Sequence, residues 1–104
     1  RIYGEVIGYG STADAYRLTD MDPEGRGAAR AVEIAMAKGN LSIDDVDYIN
    51  AHGTSTPKGD TVEIETLRSV FGPQIERIPV SSNKSQLGHT LGAAGAIEAV
   101  NIAR

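Results

Sequence analysis

Residues 48–60 read YINAHGTSTPKGD, a short apolar run that ends in a histidine and passes at once into small hydroxyl residues. The run from Val46 to Ala51 predicts a strand buried on both faces, despite Asp47 at its entry, and His52 falls where that strand stops. In open α/β sheets ligands collect just outside the carboxyl ends of strands, so a histidine delivered there is placed for chemistry rather than for core packing. Pro57 and Gly59 shape the next turn. Asp60 is expected to cap a helix whose apolar residues Ile64, Leu67, Val70 and Phe71 recur at helical spacing until Gly72-Pro73 stops it.

Towards the C-terminus, Arg77–Ser81 (RIPVS) reads as a second short strand, followed by a loop over Ser82–Gln86 and a helix from about Gly88 to the end. That helix is apolar nearly all round: Leu91, Ala94, Ile97, Val100 and Ile102 leave Glu98 as a lone acid on an element expected to be buried. An unpaired buried carboxylate is costly, so Glu98 needs a partner, and Lys84 is the expected one. The same stretch carries His89, the only other histidine.

Towards the N-terminus, Ser42–Asp45 resembles a capping turn before the first strand. Asp22-Pro23 predicts a helix start, Ala28, Ala31, Val32, Ala35 and Met36 share one small, flat face, and Gly39-Asn40 supplies a left-handed stop. Ser11–Met21 is polar and aperiodic, a loop. Ile2–Tyr9 mixes β-branched and aromatic residues with glycines, as in a strand against which other backbone packs closely. Gly8 and Gly10 lack the third glycine and the helix start of a phosphate-binding turn. The order strand, helix, strand, helix, strand, helix predicts an α/β chain with a mainly parallel sheet, right-handed crossovers and helices on its faces.

Composition narrows the classes. At 104 residues, 40% hydrophobic and 23% charged, the chain fits one soluble folded unit or part of a larger one. A net charge of -4 with scattered Lys and Arg argues against a nucleic-acid surface. There is no cysteine, which removes disulfides, thiolate metal sites and the commonest nucleophile of thioester chemistry. No apolar run reaches the roughly 18 residues of a membrane span, and the N-terminus lacks the layout of a signal peptide. Arg1 opens inside a predicted strand and Arg104 closes inside a predicted helix, so the chain is expected to be incomplete at both ends.

In a parallel sheet both histidines project at the same edge, His52 after one strand and His89 after the next, within reach of one bound group. Two neutral imidazoles offering N–H to one oxygen make an oxyanion site, and Lys84 nearby opposes a positive charge on either ring. A zinc site competes, with the histidines and Asp60 as ligand types, but the spacing is not a tight pair on one helix and there is no thiolate. A serine hydrolase using Ser55, Ser81 or Ser85 is the other competitor, and it lacks the G-x-S-x-G elbow.

Taken together, HGTSTPKGD (52–60) and NKSQLGHTLGAAG (83–95) resemble the two signature stretches of the β-ketoacyl synthases, condensing enzymes of the thiolase fold. The upstream stretch GYGSTADAYRLTDMDPEGRGAARA is similar to the chain-elongating synthases of dissociated fatty acid synthesis. The resemblance implies half of a thiolase-like fold, with residues 1–104 forming part of the C-terminal half-domain. It implies that His52 and His89 are paired catalytic histidines stabilising the enolate of a decarboxylating malonyl thioester, with Lys84 catalytic and paired to Glu98. Thr54 and Thr56 would hydrogen-bond the phosphopantetheine arm of acyl carrier protein, and Asp60 would order a helix start. It further implies a cytoplasmic homodimer that uses no free cofactor, metal, nucleic acid or membrane. The family's nucleophilic cysteine is missing from this chain, and Lys58 stands where small or apolar residues are common. A non-catalytic thiolase-like module that binds acyl carrier protein or a catalytic partner is the alternative.

Overall fold

A computed structural model describes residues 1–104. Its centre is a two-stranded parallel sheet, β1 (Ile49–Asn50) and β2 (Val80–Ser81), with Ile49 opposite Val80 and Asn50 opposite Ser81. Ile49 N–H donates to Pro79 C=O at 3.0 Å and Ala51 N–H to Ser81 C=O at 2.8 Å. The predicted strand over 46–51 is therefore shorter than expected, and it is half-buried rather than buried on both faces.

Two long helices pack against each other beside this sheet, α1 (Arg26–Gly39) and α2 (Pro57–Phe71). Leu67, Phe71 and Ile78 form the core, with Val32, Met36, Ile43, Val46, Ile49, Val70 and Ile75 around them. The helical spacing read from Leu67, Val70 and Phe71 is thus the core face of α2, whereas Ile64 lies half exposed at its edge. Only eight residues are buried, which makes the core one-sided.

Helix α1 starts at Arg26, three residues past the expected proline. Asp22 is spent on the preceding turn: its C=O accepts from Gly25 N–H (2.9 Å) and its Oδ1 from Glu24 N–H (3.1 Å), while Arg26 Nε donates to Oδ2 at 2.7 Å. Gly25 takes φ 62°, a left-handed value that a Cβ would disfavour. The stop at Asn40 is as expected, left-handed at φ 52° with its N–H on Ala37 C=O. Ser42 and Asp45 form the anticipated capping box around the 3₁₀ turn Ile43–Asp45.

The Arg26 guanidinium, then the Glu24 N–H, hold the Asp22 carboxyl below its ordinary value of 3.8. A carboxylate depressed by folding contributes stability above its unfolded value and loses it as pH falls through the lower folded value. Asp22→Asn is accordingly expected to lower Tm near neutral pH and to flatten the acid limb below pH 3.8, read by thermal melts across that range.

Residues 2–9 are not in a ladder. Residues 7–10 run along α1, where a Cβ at Gly8 or Gly10 would collide with the carbonyls of Ala35 and Ala31. The expected close backbone packing is present, against the small face of α1 instead of a neighbouring strand. The last helix also differs. A single turn, α3 (Lys84–Leu87), precedes Gly88 at φ 76°, a 3₁₀ turn covers Leu91–Ala93, and α4 (Ala94–Ile102) starts six residues later than expected. Glycines at 88, 92 and 95 weaken helix propagation there. Leu91, Val100 and Ile102 are more than half exposed, so α4 is not the buried element that its composition suggests.

Candidate active site

The parallel pairing of β1 and β2, closed by the bond from Ala51 N–H to Ser81 C=O, brings the chain after each strand to one edge. His52 leaves β1 directly. His89 comes after β2 by way of α3, with Gly88 turning the chain. The two imidazoles meet edge to face, ring centroids 5.2 Å apart and planes at 87°. Leu91 N–H donates to His89 Nδ1 at 3.3 Å, which leaves Nε2 as the nitrogen that carries the proton in the neutral ring. Both residues are exposed, and at this separation both rings can reach a single oxygen atom.

Two residues that the sequence reading missed hold this geometry. Glu63, on α2, accepts His52 N–H on Oε1 at 2.6 Å and Gly53 N–H on Oε2 at 2.8 Å, so one carboxylate fastens the backbone at the strand end. Gly53 needs its φ of 45°, and a Cβ there would strike Ser82. The Ser82 hydroxyl donates to His52 C=O at 3.4 Å and accepts Lys84 N–H at 3.3 Å, linking the two histidine stretches. The available signal for Glu63 was its i+3 spacing from Asp60, which puts both acids on one side of α2. Glu63→Gln keeps one acceptor and turns an N–H donor towards the other amide. Given about 1–3 kcal/mol for a lost charged hydrogen bond, the variant is expected to lose roughly tenfold in kcat with little change in KM, measured on the full-length protein.

Lys84 and Glu98 meet as expected, Nζ to Oε1 at 2.5 Å, with side chains 5% and 15% exposed. Lys84 opens α3 rather than sitting in a loop. Thr54 and Thr56 bring their hydroxyls within 3.3 Å of each other, separated by Ser55 at φ 62°. Asp60 departs from expectation. Thr56 is the N-cap and Pro57 the first residue of α2, so Asp60 lies a full turn inside the helix with its own N–H on Thr56 C=O. It caps nothing: its Oδ1 is buried without a partner, on the wall of a cavity that it shares with His52, Glu63 and Thr66.

No three of His, Cys, Asp and Glu converge on a common point, so the zinc arrangement weighed from sequence is not assembled. No helix is long and apolar enough to cross a membrane.

A family model described as the C-terminal domain of β-ketoacyl synthase matches residues 3–104. The chain belongs to that family, and its fold is the thiolase-like fold of ketosynthases. Among curated proteins it is 50% identical over 99 residues to 3-oxoacyl-[acyl-carrier-protein] synthase 2 of Staphylococcus aureus, covering 95% of this chain and 25% of that protein. The synthase of the same name from Synechocystis is 49% identical over 100 residues, covering 96% and 24%. Among solved structures, a type II polyketide ketosynthase in complex with its acyl-carrier protein superimposes with TM-score 0.94 at 40% identity, covering 99% of this chain and 25% of the other. A β-ketoacyl synthase from Burkholderia phymatum gives TM-score 0.88 at 41% identity, covering 99% and 24%. The chain spans about a quarter of the length of these relatives.

Proposed function

We propose that within the full-length protein residues 1–104, as part of a C-terminal half-domain, supply the paired-histidine side of a condensing active site for fatty acid chain elongation. The observation that carries this reading is the edge-to-face pair His52–His89, brought together beyond the parallel strands β1 and β2 with 5.2 Å between centroids. In the reaction, the bond between the malonyl α-carbon and its carboxylate breaks and carbon dioxide leaves. The electron pair stays on the remaining thioester as an enolate, whose oxygen accepts hydrogen bonds from His52 and from His89 Nε2–H. The α-carbon then attacks the carbonyl of an acyl thioester, and the acyl group's thiolate departs.

That thiolate comes from outside residues 1–104, since the chain has no cysteine. Lys84 and Glu98 support the histidine edge, and Asp60 stands behind His52 on the shared cavity wall. The hydroxyls of Thr54 and Thr56 suit the amide-rich phosphopantetheine arm of acyl carrier protein, which delivers the substrates in place of a free cofactor. A cytoplasmic homodimer follows from the same family reading. The fatty acid branch is supported by the 50% identity to 3-oxoacyl-[acyl-carrier-protein] synthase 2.

The test is the full-length protein supplied with malonyl-acyl carrier protein and an acyl donor. Carbon dioxide release with formation of a β-ketoacyl product is expected. Carrier binding without release would establish instead a non-catalytic thiolase-like module.

A further inference from the structure

A cavity of about 280 Å³ between α1 and α2 reaches His52, and its wall mixes two kinds of surface. Met21, Ala28, Val32, Val62 and Leu67 make most of it apolar, whereas Asp14, Asp22, Asp60 and Glu63 bring four acids to it with no lysine or arginine among the lining residues. Three of these acids are engaged. Asp22 Oδ2 accepts Arg26 Nε–H at 2.7 Å, Asp14 Oδ2 accepts Asp22 N–H at 3.0 Å, and Glu63 spends both oxygens on the amides of His52 and Gly53. Asp60 is different, because its Oδ1 is buried without a hydrogen-bond partner, while the cation closest to it in sequence, Lys58, is committed to Asp20. Thr66, on the same helix and only 3% exposed, presents a second buried and unpartnered oxygen, Oγ1, to this cavity.

Two buried oxygens that lack donors set the chemistry of what fits. A carboxylate oxygen only accepts, and a hydroxyl accepts through its lone pairs, so each is satisfied by a donor; the excess of acids in the wall favours a positive one. A metal ion does not answer. Hard divalent cations take about six or more oxygens, and no three acidic or imidazole ligands converge here. Water supplies donors but suits the wall poorly: at about 30 Å³ each, several would be needed, and a buried water wants about two to four polar partners that the apolar wall does not provide. A primary ammonium on a short apolar body matches both surfaces, its N–H groups directed at Asp60 Oδ1 and Thr66 Oγ1 and its carbons at Val32, Val62 and Leu67. Ala28 is exposed on α1 as well as part of the wall, so the cavity reaches the surface and admits such a molecule without movement of the chain.

We propose that this cavity is a binding site for a small primary alkylammonium, held by the Asp60 carboxylate and the Thr66 hydroxyl in the space between α1 and α2. The site goes beyond the condensing reaction and stands without it.

The experiment is calorimetric titration of the full-length protein at neutral pH with n-butylammonium chloride, compared with n-butanol, tetramethylammonium chloride and potassium chloride. Saturable binding with a millimolar Kd is expected for n-butylammonium. The alcohol, which lacks the charge, and tetramethylammonium, which lacks N–H, should each bind roughly tenfold weaker. Thr66→Val keeps the side-chain shape and should weaken n-butylammonium roughly tenfold by removing one acceptor, and Asp60→Asn should weaken it at least as much. Ala28→Leu should abolish binding by filling the cavity. Thermal melts show which variants fold, and Thr66→Val with Ala28→Leu decides the matter should Asp60→Asn not fold. Absence of saturable binding, the result for a cavity that takes up water alone, overturns the proposal. So does n-butylammonium binding unchanged in Thr66→Val and Ala28→Leu, n-butanol binding equally tightly, or potassium displacing the amine at equal concentration. Should the full-length protein catalyse no condensation, the titration still decides the ammonium site while the functional reading falls.

Discussion

His89→Ala in the full-length protein is expected to slow malonyl decarboxylation roughly a hundred- to a thousandfold, the usual cost of one oxyanion donor. His52→Ala should cost a similar factor. On the proposed reading the two rings, 5.2 Å apart, share one oxygen, so the double variant should be little slower than either single variant, as for residues that act as a unit. The tautomer sharpens the expectation. Leu91 N–H occupies Nδ1 of His89, so the working donor is Nε2–H, and glutamine, whose amide reaches the Nε2 position, should retain more activity than asparagine, whose amide matches Nδ1. Carbon dioxide release in single-turnover mixtures measures this, with thermal melts to show that the variants fold. Near wild-type release from both alanine variants would remove the oxyanion site, and asparagine outperforming glutamine would reverse the assigned tautomer.

The site was more legible in the sequence than the fold around it, for a physical reason. Parallel strands deliver their carboxyl ends to one edge whatever their length, so two residues of ladder, with α3 and the Gly88 turn after β2, are enough to bring His52 and His89 together. The Lys84–Glu98 pair followed from the cost of a lone acid in an apolar stretch. Element extents were less legible, because composition reports what could be buried and not what lies alongside. Ile2–Tyr9 has strand residues but no partner strand, and 94–102 is apolar yet largely uncovered. Asp60 misled because an acid near a helix start suits a cap. The proline at 57 moved the helix start upstream, and that left the carboxylate facing a cavity. Glu63 was hidden because its partners are backbone amides, so its spacing from Asp60 was the one trace it left in the side-chain pattern.

Lys84→Met is expected to be the most destabilising single substitution at the site. The ammonium and the Glu98 carboxylate are 2.5 Å apart with side chains 5% and 15% exposed. Removing either partner strands a buried charge, at about 3–5 kcal/mol. Glu98→Gln should cost a comparable amount for the same reason, since it leaves the lysine unpaired. The paired replacement Lys84→Met with Glu98→Leu removes both desolvation penalties at once, so most of the lost Tm should return, because apolar side chains of similar volume often match or exceed a buried ion pair. Turnover should not return with it. The paired variant keeps the packing and the backbone link from Lys84 N–H through the Ser82 hydroxyl to His52, and loses only the cation five residues before His89. Full-length protein with restored Tm and depressed kcat would separate the chemical role of Lys84 from its structural one. Recovery of both together would reduce the pair to a packing device, and failure of Tm to recover would show that the ion pair itself stabilises the fold.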